Sequence, residues 1–258
     1  MLQTQATLHQ TEASKKHRYH VCIAQCSSEI RAAQKLRYEV FTDEYGANLG
    51  NAEPGVDADI YDRYCDHLIV RDEEEGRIVG TYRILPPSAA KEVGSYYSEN
   101  EFFLTRLIPI RHQLVEVGRS CIAPDHRNGA VIALLWFKLA EYMTRNNYQY
   151  LIGCGSITMH DGGHNAANIY AQLSDSHLAP EEYRVMPHTR LPYERLTNGQ
   201  TTEVPGLIKG YLRAGAWICG EPSWDASFNS ADLMLLLPMA RLSQSYRKHF
   251  LRGQETSS

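Results

Sequence analysis

The chain has 258 residues, a hydrophobic fraction of 43% and a formal net charge of −4 at pH 7. This length suits one large domain, and the acidic balance argues against a dedicated nucleic-acid-binding protein, which is usually basic. The polar N-terminus lacks the apolar core of a signal peptide, and the longest apolar run, AVIALLWF, is too short to cross a bilayer. We therefore expect a cytoplasmic protein whose contact with lipid is at most peripheral, at the inner face of the cytoplasmic membrane.

Apolar side chains recur with the periods of strands and helices along most of the chain. The predicted elements are a strand over 19–25, a helix over 27–46, a hairpin over 67–85, a strand over 114–122, a helix over 129–146, a strand over 149–157, helices over 164–173 and 205–216, a strand over 231–238 and a basic helix over 239–253. Ser27 or Ser28 would cap the first helix and Gly46 would end it. This order predicts an α+β fold with a mixed, mostly antiparallel sheet flanked by helices. We expect a single domain over 19–252 between disordered tails, 1–18 and 253–258.

The six cysteines are scattered along the chain and form no CxxC pair. We therefore expect reduced, buried thiols rather than disulfides or a metal site. The segment HDGGH (160–164) does not place its two histidines on one helix face, and no HEXXH motif occurs. The sequence thus predicts no metal ion and no resident cofactor.

The segment EVGRSCI (116–122) is the strand with the most promising chemistry. Because alternate side chains of a strand share a face, the pattern predicts two groups. They are Glu116, Gly118 and Ser120 on one face, and Val117, Arg119 and Cys121 on the other. A ligand could lie against Gly118 within reach of the Glu116 carboxylate. The alternative is that Glu116 and Arg119 are structural ion-pair residues of the sheet.

The turn APDHRNGAV (123–131) joins this strand to the next helix. A basic residue, a glycine and a helix N-terminus suit the binding of a phosphate group. An ordinary turn between a strand and a helix explains the same residues equally well. The sequence leaves both interpretations open.

The loop after the first helix is acidic. Its five carboxylates within fourteen residues are Glu53, Asp57, Asp59, Asp62 and Asp66. They could hold a metal or an ammonium group, but the spacing of a calcium-binding EF-hand loop does not occur. A solvated loop is the plainer interpretation of such a run.

Several segments together resemble one known family. In chain order they are LRYEVFTDEYGA, CDHLIV, IVGTYRIL, YYSENEF, EVGRSCIAPDHR, ALLWFKLAEY and PGLIKGYLRAGAWICGEPSWDASFNSADLMLLLP. They resemble the bacterial L-ornithine N-alpha-acyltransferases that make lyso-ornithine lipid, over roughly residues 19–250. That family belongs to the GNAT superfamily, and its fold is similar to that of acyl-homoserine-lactone synthases. The resemblance implies the GNAT acyl-CoA N-acyltransferase fold.

The resemblance also implies a reaction. The α-amine of an amino acid, L-ornithine in that family, would attack the thioester of a 3-hydroxyacyl group on acyl carrier protein, with acyl-coenzyme A as an alternative donor. Two other functions stay open. One is an autoinducer synthase that acylates S-adenosylmethionine, and the other is a non-catalytic, haemolysin-like protein that binds acyl chains or membranes.

Roles for particular residues follow from the resemblance and from the needs of the reaction. Glu116 would take the proton of the amine. The thioester oxygen gains negative charge as the amine attacks, and backbone N–H groups would stabilise it. These N–H groups belong to Arg119, Ser120, Cys121 and Ile122. Asp62 or Asp66 would bind the second ammonium of ornithine. The positions that resemble acyl and amine sites of the autoinducer synthases are Arg37, Phe41, Asp59, Asp62, Arg83, Glu116 and Arg119. Asp225 and Asp232 would close the site.

The turn departs from the pattern of coenzyme A-dependent relatives, which is basic-x-x-Gly-x-Gly/Ala. This chain has Ala130 and Ile132 at the two small positions, and Ile132 would crowd a pyrophosphate. This difference favours acyl carrier protein as the donor, because its pantetheine arm has one phosphate and no adenosine.

Acyl carrier protein is acidic, so its docking surface should be basic. The predicted docking residues are His126, Arg127, Lys138 and Arg145. A second basic set, which could bind the carrier protein or anionic lipid, is Arg241, Arg247, Lys248 and Arg252. A solvated helix face is the alternative for both sets.

Overall fold

One large sheet organises the part of the chain that the computed structural model describes, residues 18–47, 53–243 and 246. The strands are β1 (Tyr19–Ile23), β2 (Asp66–Asp72), β3 (Arg77–Leu85), β4 (Phe102–Phe103), β5 (Leu114–Ile122), β6 (Tyr150–Thr158), β7 (Met186–Pro187), β8 (Trp217–Ile218), β9 (Ser223–Asp225) and β10 (Ser230–Pro238). The main sheet has the order β1-β2-β3-β5-β6-β10-β8, with β9 beside β10, while β4 and β7 form a separate pair. Only β5 and β6 pair in parallel among these strands, so the predicted mixed, mostly antiparallel sheet is confirmed.

Helices cover both faces of this sheet. They are α1 (Ser27–Tyr45), α2 (Pro87–Val93), α3 (Ala130–Arg145), α4 (His164–His177), α5 (Tyr193–Leu196) and α6 (Gly206–Ala214). A Cβ on Gly80 would lie 2.5 Å from Val131 of α3, so α3 packs on the Gly80 side of β3. Arg83, which points to the other side, shares Asp62 with Arg37 of α1. The two long helices therefore lie on opposite faces of β3.

Most predicted elements are present, with differences at their ends. Cys26 is the N-cap of α1, so Ser27 and Ser28 lie inside the helix, whereas Gly46 ends it as predicted with a φ of 61°. The predicted loop after α6 contains the short strands β8 and β9, which pair with β10. The tails, 1–17 and 253–258, and most of the predicted terminal helix lie outside the described residues.

The sheet opens between β5 and β6. The two strands pair only from Leu114–Tyr150 to Glu116–Ile152. A Cβ on Gly153 would lie 2.5 Å from the carbonyl oxygen of Val117, which marks the last close approach. Beyond that point β5 pairs only with β3, and β6 pairs only with β10. This opening in the middle of the sheet positions the candidate site.

Among the described residues, no helix is both long and apolar enough to span a membrane.

Candidate active site

A central cleft lies at the opening between β5 and β6. It is lined from α1, β3, β5, β6, β10 and the loop before β10 by Phe41, Arg83, Glu116, Gly118, Arg119, Cys154, Asp225 and Asp232, among others. Tyr82 and Val117, which face α3, line it as well. Since the lining comes from both faces, the cleft passes through the sheet.

An outer groove adjoins the central cleft beside the turn between β5 and α3. Its lining includes Ser120, Cys121, Ile122, Arg127, Gly129, Ile132 and Ala133. The outer groove and the central cleft share Phe41, Tyr45, Ser120, Pro205 and Leu207, so the two are continuous. The N–H of Ala130, at the start of α3, donates to the Asn128 side chain at 3.0 Å. The chain itself therefore uses one of the N–H groups that a phosphate would need.

Glu116 is buried at the bottom of the central cleft. Its carboxylate accepts hydrogen bonds from the backbone N–H groups of Tyr97 at 2.6 Å and Ser98 at 2.8 Å, and from the Ser98 hydroxyl. Burial raises the pKa of Glu116 above its ordinary value, although these donors oppose the effect. The arrangement gives a well-oriented carboxylate that holds a proton more readily than an exposed glutamate.

Three arginines share the carboxylates of the acidic loop. The ion pairs are Arg37–Asp57 at 2.7 Å, Arg37–Asp62 at 2.7 Å, Arg83–Asp59 at 2.6 Å, Arg83–Asp62 at 2.9 Å and Arg119–Asp57 at 3.1 Å. Burial opposes ionisation of Asp62, but the two guanidinium groups hold its pKa well below the usual range. Asp57, Asp59 and Asp62 thus form an internal ion network and are neither solvated nor an open cation site, whereas Glu53 is exposed.

This network corrects the predicted site for a second ammonium. Both oxygens of the Asp62 carboxylate are already bound by arginines. Asp66 accepts the Tyr142 hydroxyl at 2.7 Å and does not line the central cleft. Neither residue is free to bind the side chain of a substrate.

A β-bulge in β5 corrects the predicted faces. Gly118 pairs with Arg83 but Cys121 pairs with Thr81, so two residues of β5 oppose one residue of β3. The extra residue is at Arg119, whose φ is 52°. Arg119 therefore reaches the same cleft as Glu116 instead of the opposite face, and its guanidinium lies over the ring of Phe228 at 4.4 Å.

Glu101, which the sequence analysis missed, lies beside the predicted Asp232. Both side-chain oxygens of Glu101 are buried, and no N–H or hydroxyl group of the described residues donates to them. One of its oxygens, one oxygen of Asp232 and the Cys154 sulfur lie within 4.8 Å of one another. Burial, reinforced by Asp232, raises the pKa of Glu101 to about 11. In the sequence nothing separates Glu101 from the neighbouring Glu99, because only the tertiary fold buries one and pairs the other with Arg111.

The predicted docking residues differ in their exposure. His126 is buried and contacts Asp72 at 3.1 Å, so it cannot contact a partner protein, and its prediction is wrong. Arg127 lines the outer groove and donates to the carbonyl oxygen of Ile122 at 3.1 Å. Lys138 and Arg145 lie farther along α3, where both pair with Glu141. The docking roles of these three residues stay predictions.

Comparisons with known proteins agree with this architecture. A family model described as an acetyltransferase (GNAT) domain matches residues 36–137. The solved structure of the acyl-homoserine lactone synthase BjaI with MTA is similar in fold, with 13% identity, a TM-score of 0.53 and coverage of 94% of this chain and 92% of that chain. FeeM, an N-acyl amino acid synthase from uncultured soil microbes, also has 13% identity and a TM-score of 0.53, over 92% of this chain and 98% of that chain. These likenesses confirm the predicted GNAT fold.

Sequence relatives carry a more specific name. The chain is 35% identical to an L-ornithine N(alpha)-acyltransferase of Rhodobacter capsulatus, over 92% of this chain and 96% of the relative. It is 33% identical to the enzyme of the same name from Brucella abortus, over 89% of this chain and 88% of the relative. With this identity over nearly the whole length of both chains, the protein belongs to the L-ornithine N(alpha)-acyltransferase family and is an acyltransferase of the GNAT fold.

Proposed function

We propose that this enzyme transfers a 3-hydroxyacyl group from acyl carrier protein to the α-amine of L-ornithine, which gives lyso-ornithine lipid. The observation that carries the proposal is the continuity of the outer groove with the central cleft, which ends at buried carboxylates. An acyl thioester can enter from one side while an amine approaches the carboxylates. The names of the relatives support ornithine as the acceptor.

The reaction is an acyl transfer without a change in oxidation state. The neutral α-amine attacks the thioester carbon, the C–N bond forms, and the C–S bond breaks. The amine loses one proton, and the carrier's thiolate leaves and takes up one proton. Glu116 would accept the amine proton, directly or through one water, and later return it to the sulfur. Its raised pKa suits this exchange better than that of an ordinary glutamate.

Stabilisation of the charged oxygen is assigned to the backbone of β5. Because β6 pairs with β5 only as far as Glu116, the edge of β5 beyond that residue lies open at the cleft. Alternate N–H groups of an unpaired edge point away from the neighbouring strand. In the segment 119–122, the backbone N–H groups that point into the cleft would donate to the thioester oxygen as it gains negative charge. Arg119 would hold the ligand in place from the same bulge.

The preference for acyl carrier protein rests on the start of α3. Ile132 lines the outer groove at a position where coenzyme A-dependent relatives have a small residue. Its side chain would crowd the pyrophosphate of coenzyme A. The single phosphate of a pantetheine arm needs less room. Arg127, which is partly exposed at the same groove and pairs with Glu44, would face the acidic carrier protein.

The chemistry of the product also bears on location. A lyso-lipid carries a long acyl chain and partitions into bilayers. We propose that the enzyme works in the cytoplasm and contacts the inner face of the cytoplasmic membrane peripherally. The predicted lipid-binding residues Arg247, Lys248 and Arg252 lie outside the described residues. Flotation with anionic vesicles, but not with neutral ones, is the expected result.

A reconstituted assay tests the function. The purified protein is incubated with 3-hydroxyacyl carrier protein or the matching acyl-coenzyme A, and with ornithine, lysine, glutamine, glycine or S-adenosylmethionine. We expect an ornithine amide by mass spectrometry, and far faster turnover with the carrier protein. A lactone from S-adenosylmethionine would instead identify a signal synthase, and no amide with any amino acid would refute the proposal.

Glu116→Gln tests the base. We expect a fall in kcat of about 10²- to 10⁴-fold, because the amide cannot accept the proton. Unchanged circular dichroism and melting would show that the variant still folds. Normal turnover in Glu116→Gln would remove Glu116 from the mechanism.

A further inference from the structure

We infer that Glu101 and Asp232 form the binding site for the side-chain ammonium of a diamino-acid acceptor. The inference rests on the proposed function, because it assigns one half of the acceptor to a place beside the central cleft, whose lining includes Asp232 but not Glu101. It replaces Asp62 and Asp66, whose carboxylates bind arginines and a tyrosine hydroxyl.

The first argument is the unused hydrogen-bonding capacity of Glu101. Its residue exposure is only 7%, and no N–H or hydroxyl group of the described residues donates to either carboxyl oxygen; its partner is the Asp232 carboxyl group, with which it can share a proton. Buried polar groups are nearly always hydrogen-bonded in native proteins, and a buried pair of carboxyl groups without a cation is costly. The pair lies beside the central cleft, whose lining includes Asp232. An ammonium, with three N–H donors, would replace the shared proton and bind both carboxylates.

The second argument is the concentration of acidic groups. Asp232 is 4% exposed, and one of its carboxyl oxygens lies within 4.8 Å of one of Glu101 and of the Cys154 sulfur. Asp232 accepts one hydrogen bond from the Ser230 hydroxyl at 2.9 Å. No arginine, lysine or histidine of the described residues pairs with either carboxyl group. A cation from outside the chain would compensate both groups, in contrast to the ion network around Asp62.

The third argument is that both residues are held firmly. The carbonyl oxygen of Glu101 accepts the N–H of His188 at 2.7 Å and the Ser223 hydroxyl at 3.4 Å. Asp232 lies within β10, where it pairs with Ser156 and Ser223. A site on two fixed elements discriminates between ligands better than a site on a mobile side chain.

The fourth argument is the position relative to the reacting amine. The Ser98 hydroxyl donates to Glu116 and lies 3.6 Å from the sulfur of Cys154. Two side chains, Ser98 and Cys154, therefore lie between the proposed base and the Glu101 and Asp232 pair. In the proposed binding mode the α-amine lies at Glu116 and the side-chain ammonium, at the end of a short chain of methylenes, lies at Glu101 and Asp232.

A comparison of ornithine with norvaline tests the inference, because norvaline has the same carbon chain but no side-chain ammonium. For the wild type and for Glu101→Gln, kcat/KM is measured with both amino acids and one acyl carrier protein donor. We expect the wild type to prefer ornithine strongly. The ratio of the two values should fall by about 10- to 150-fold in Glu101→Gln, because a charged hydrogen bond is lost. A ratio within one variant does not depend on the fraction of folded enzyme.

Glu99→Gln is the matched control, since Glu99 lies two residues away and pairs with Arg111 outside the cleft lining. We expect its ratio to equal that of the wild type. Ornithine turnover with an unchanged ratio in Glu101→Gln would overturn this inference and leave the proposed function standing. Wild-type enzyme that acylates no amino acid would overturn both. An ornithine preference that EDTA abolishes and Zn²⁺ restores would assign the cluster to a metal, and would overturn the inference as well.

Discussion

Two buried carboxyl groups of this protein are in opposite electrostatic surroundings. Asp62 contacts the guanidinium groups of Arg37 and Arg83, which hold its pKa well below the usual range despite its burial. Glu101 has no such partner, and burial beside Asp232 raises its pKa to about 11. The first group is arranged for stability and the second for a ligand. Substitution of each by its amide should therefore have opposite effects on the free energy of unfolding.

We predict that Asp62→Asn lowers the free energy of unfolding at pH 7 by about 3–5 kcal/mol, because two buried cations each lose one of their two carboxylate partners. Glu101→Gln should raise it by about 1–3 kcal/mol, because the folded state no longer has to hold a proton that the unfolded state releases. Urea denaturation followed by circular dichroism measures both values. Asp43→Asn, at an exposed site, is the control and should change little.

The pH dependence has a defined sign for each group. The raised pKa of Glu101 means that the folded state binds more protons, so stability is greatest below the unfolded pKa and declines as pH rises. Glu101→Gln should flatten the decline above about pH 4.5. The lowered pKa of Asp62 has the reverse effect: its contribution is present above the unfolded pKa and is lost in acid. A stability profile of Glu101→Gln parallel to that of the wild type would contradict this account.

At the scale of elements, the sequence predicted the strands better than their irregularities. Alternating apolar residues were sufficient to locate β5. Within that strand, an acidic residue two positions before a glycine was sufficient to select Glu116 as a candidate for the base. The bulge at Arg119 was not predictable, because a bulge depends on how two residues of β5 oppose one residue of β3. The strands β8 and β9 were missed because segments of two or three residues carry no periodic signal.

Candidate site residues divide in the same way. Glu116 and Asp232 belong to regular strands and line the central cleft, whereas Arg119 reaches it only through the bulge. The wrong assignment of Asp62 arose because a run of carboxylates does not reveal which arginines it will meet. Glu101 escaped notice because its importance lies in its burial, and a single turn residue between a short 3-10 helix and the two-residue strand β4 gives no sequence signal for burial.

The opening between β5 and β6 gives a prediction for two glycines on its two sides. A Cβ on Gly118 meets nothing within 4 Å, whereas a Cβ on Gly153 would lie 2.5 Å from the carbonyl oxygen of Val117. Gly118→Val should therefore fold normally and lose activity, since its methyl groups would occupy the cleft beside Glu116. Gly153→Ala should lose about 1–3 kcal/mol of stability, because the backbone of β5 must move.

Thermal melting and the ornithine assay together distinguish the two glycine variants. The expected pattern is a normal melting temperature with a deep loss of turnover for Gly118→Val, and a lowered melting temperature for Gly153→Ala. Full activity in a folded Gly118→Val enzyme would show that the acyl or amine substrate does not pass this point. The experiment thus tests whether the opening in the sheet is the reaction site.

At the scale of the whole molecule, the proposed function assigns two substrates of different chemistry to the central cleft and the outer groove. Two buried carboxylates, Glu101 and Asp232, favour a cationic acceptor at one end. Apolar side chains such as Ile132 and Ala133, with Arg127 beside them, favour an acyl thioester with an anionic carrier at the other. The net charge of −4 conceals this division, because a sum over the chain says nothing about where charges lie.

This division predicts how the enzyme distinguishes the carrier protein from the acyl arm alone. Arg127→Ala should raise the KM for acyl carrier protein about 10-fold and weaken its dependence on salt, because an exposed cation at an interface steers an acidic partner. The KM for the matching acyl-pantetheine should change much less, since that substrate lacks the acidic protein surface. Arg106→Ala is the control, because Arg106 is half exposed but lines neither the central cleft nor the outer groove. Equal rises in KM for both donors with Arg127→Ala would mean that the guanidinium contacts the acyl arm itself, and carrier docking would then have to use another surface.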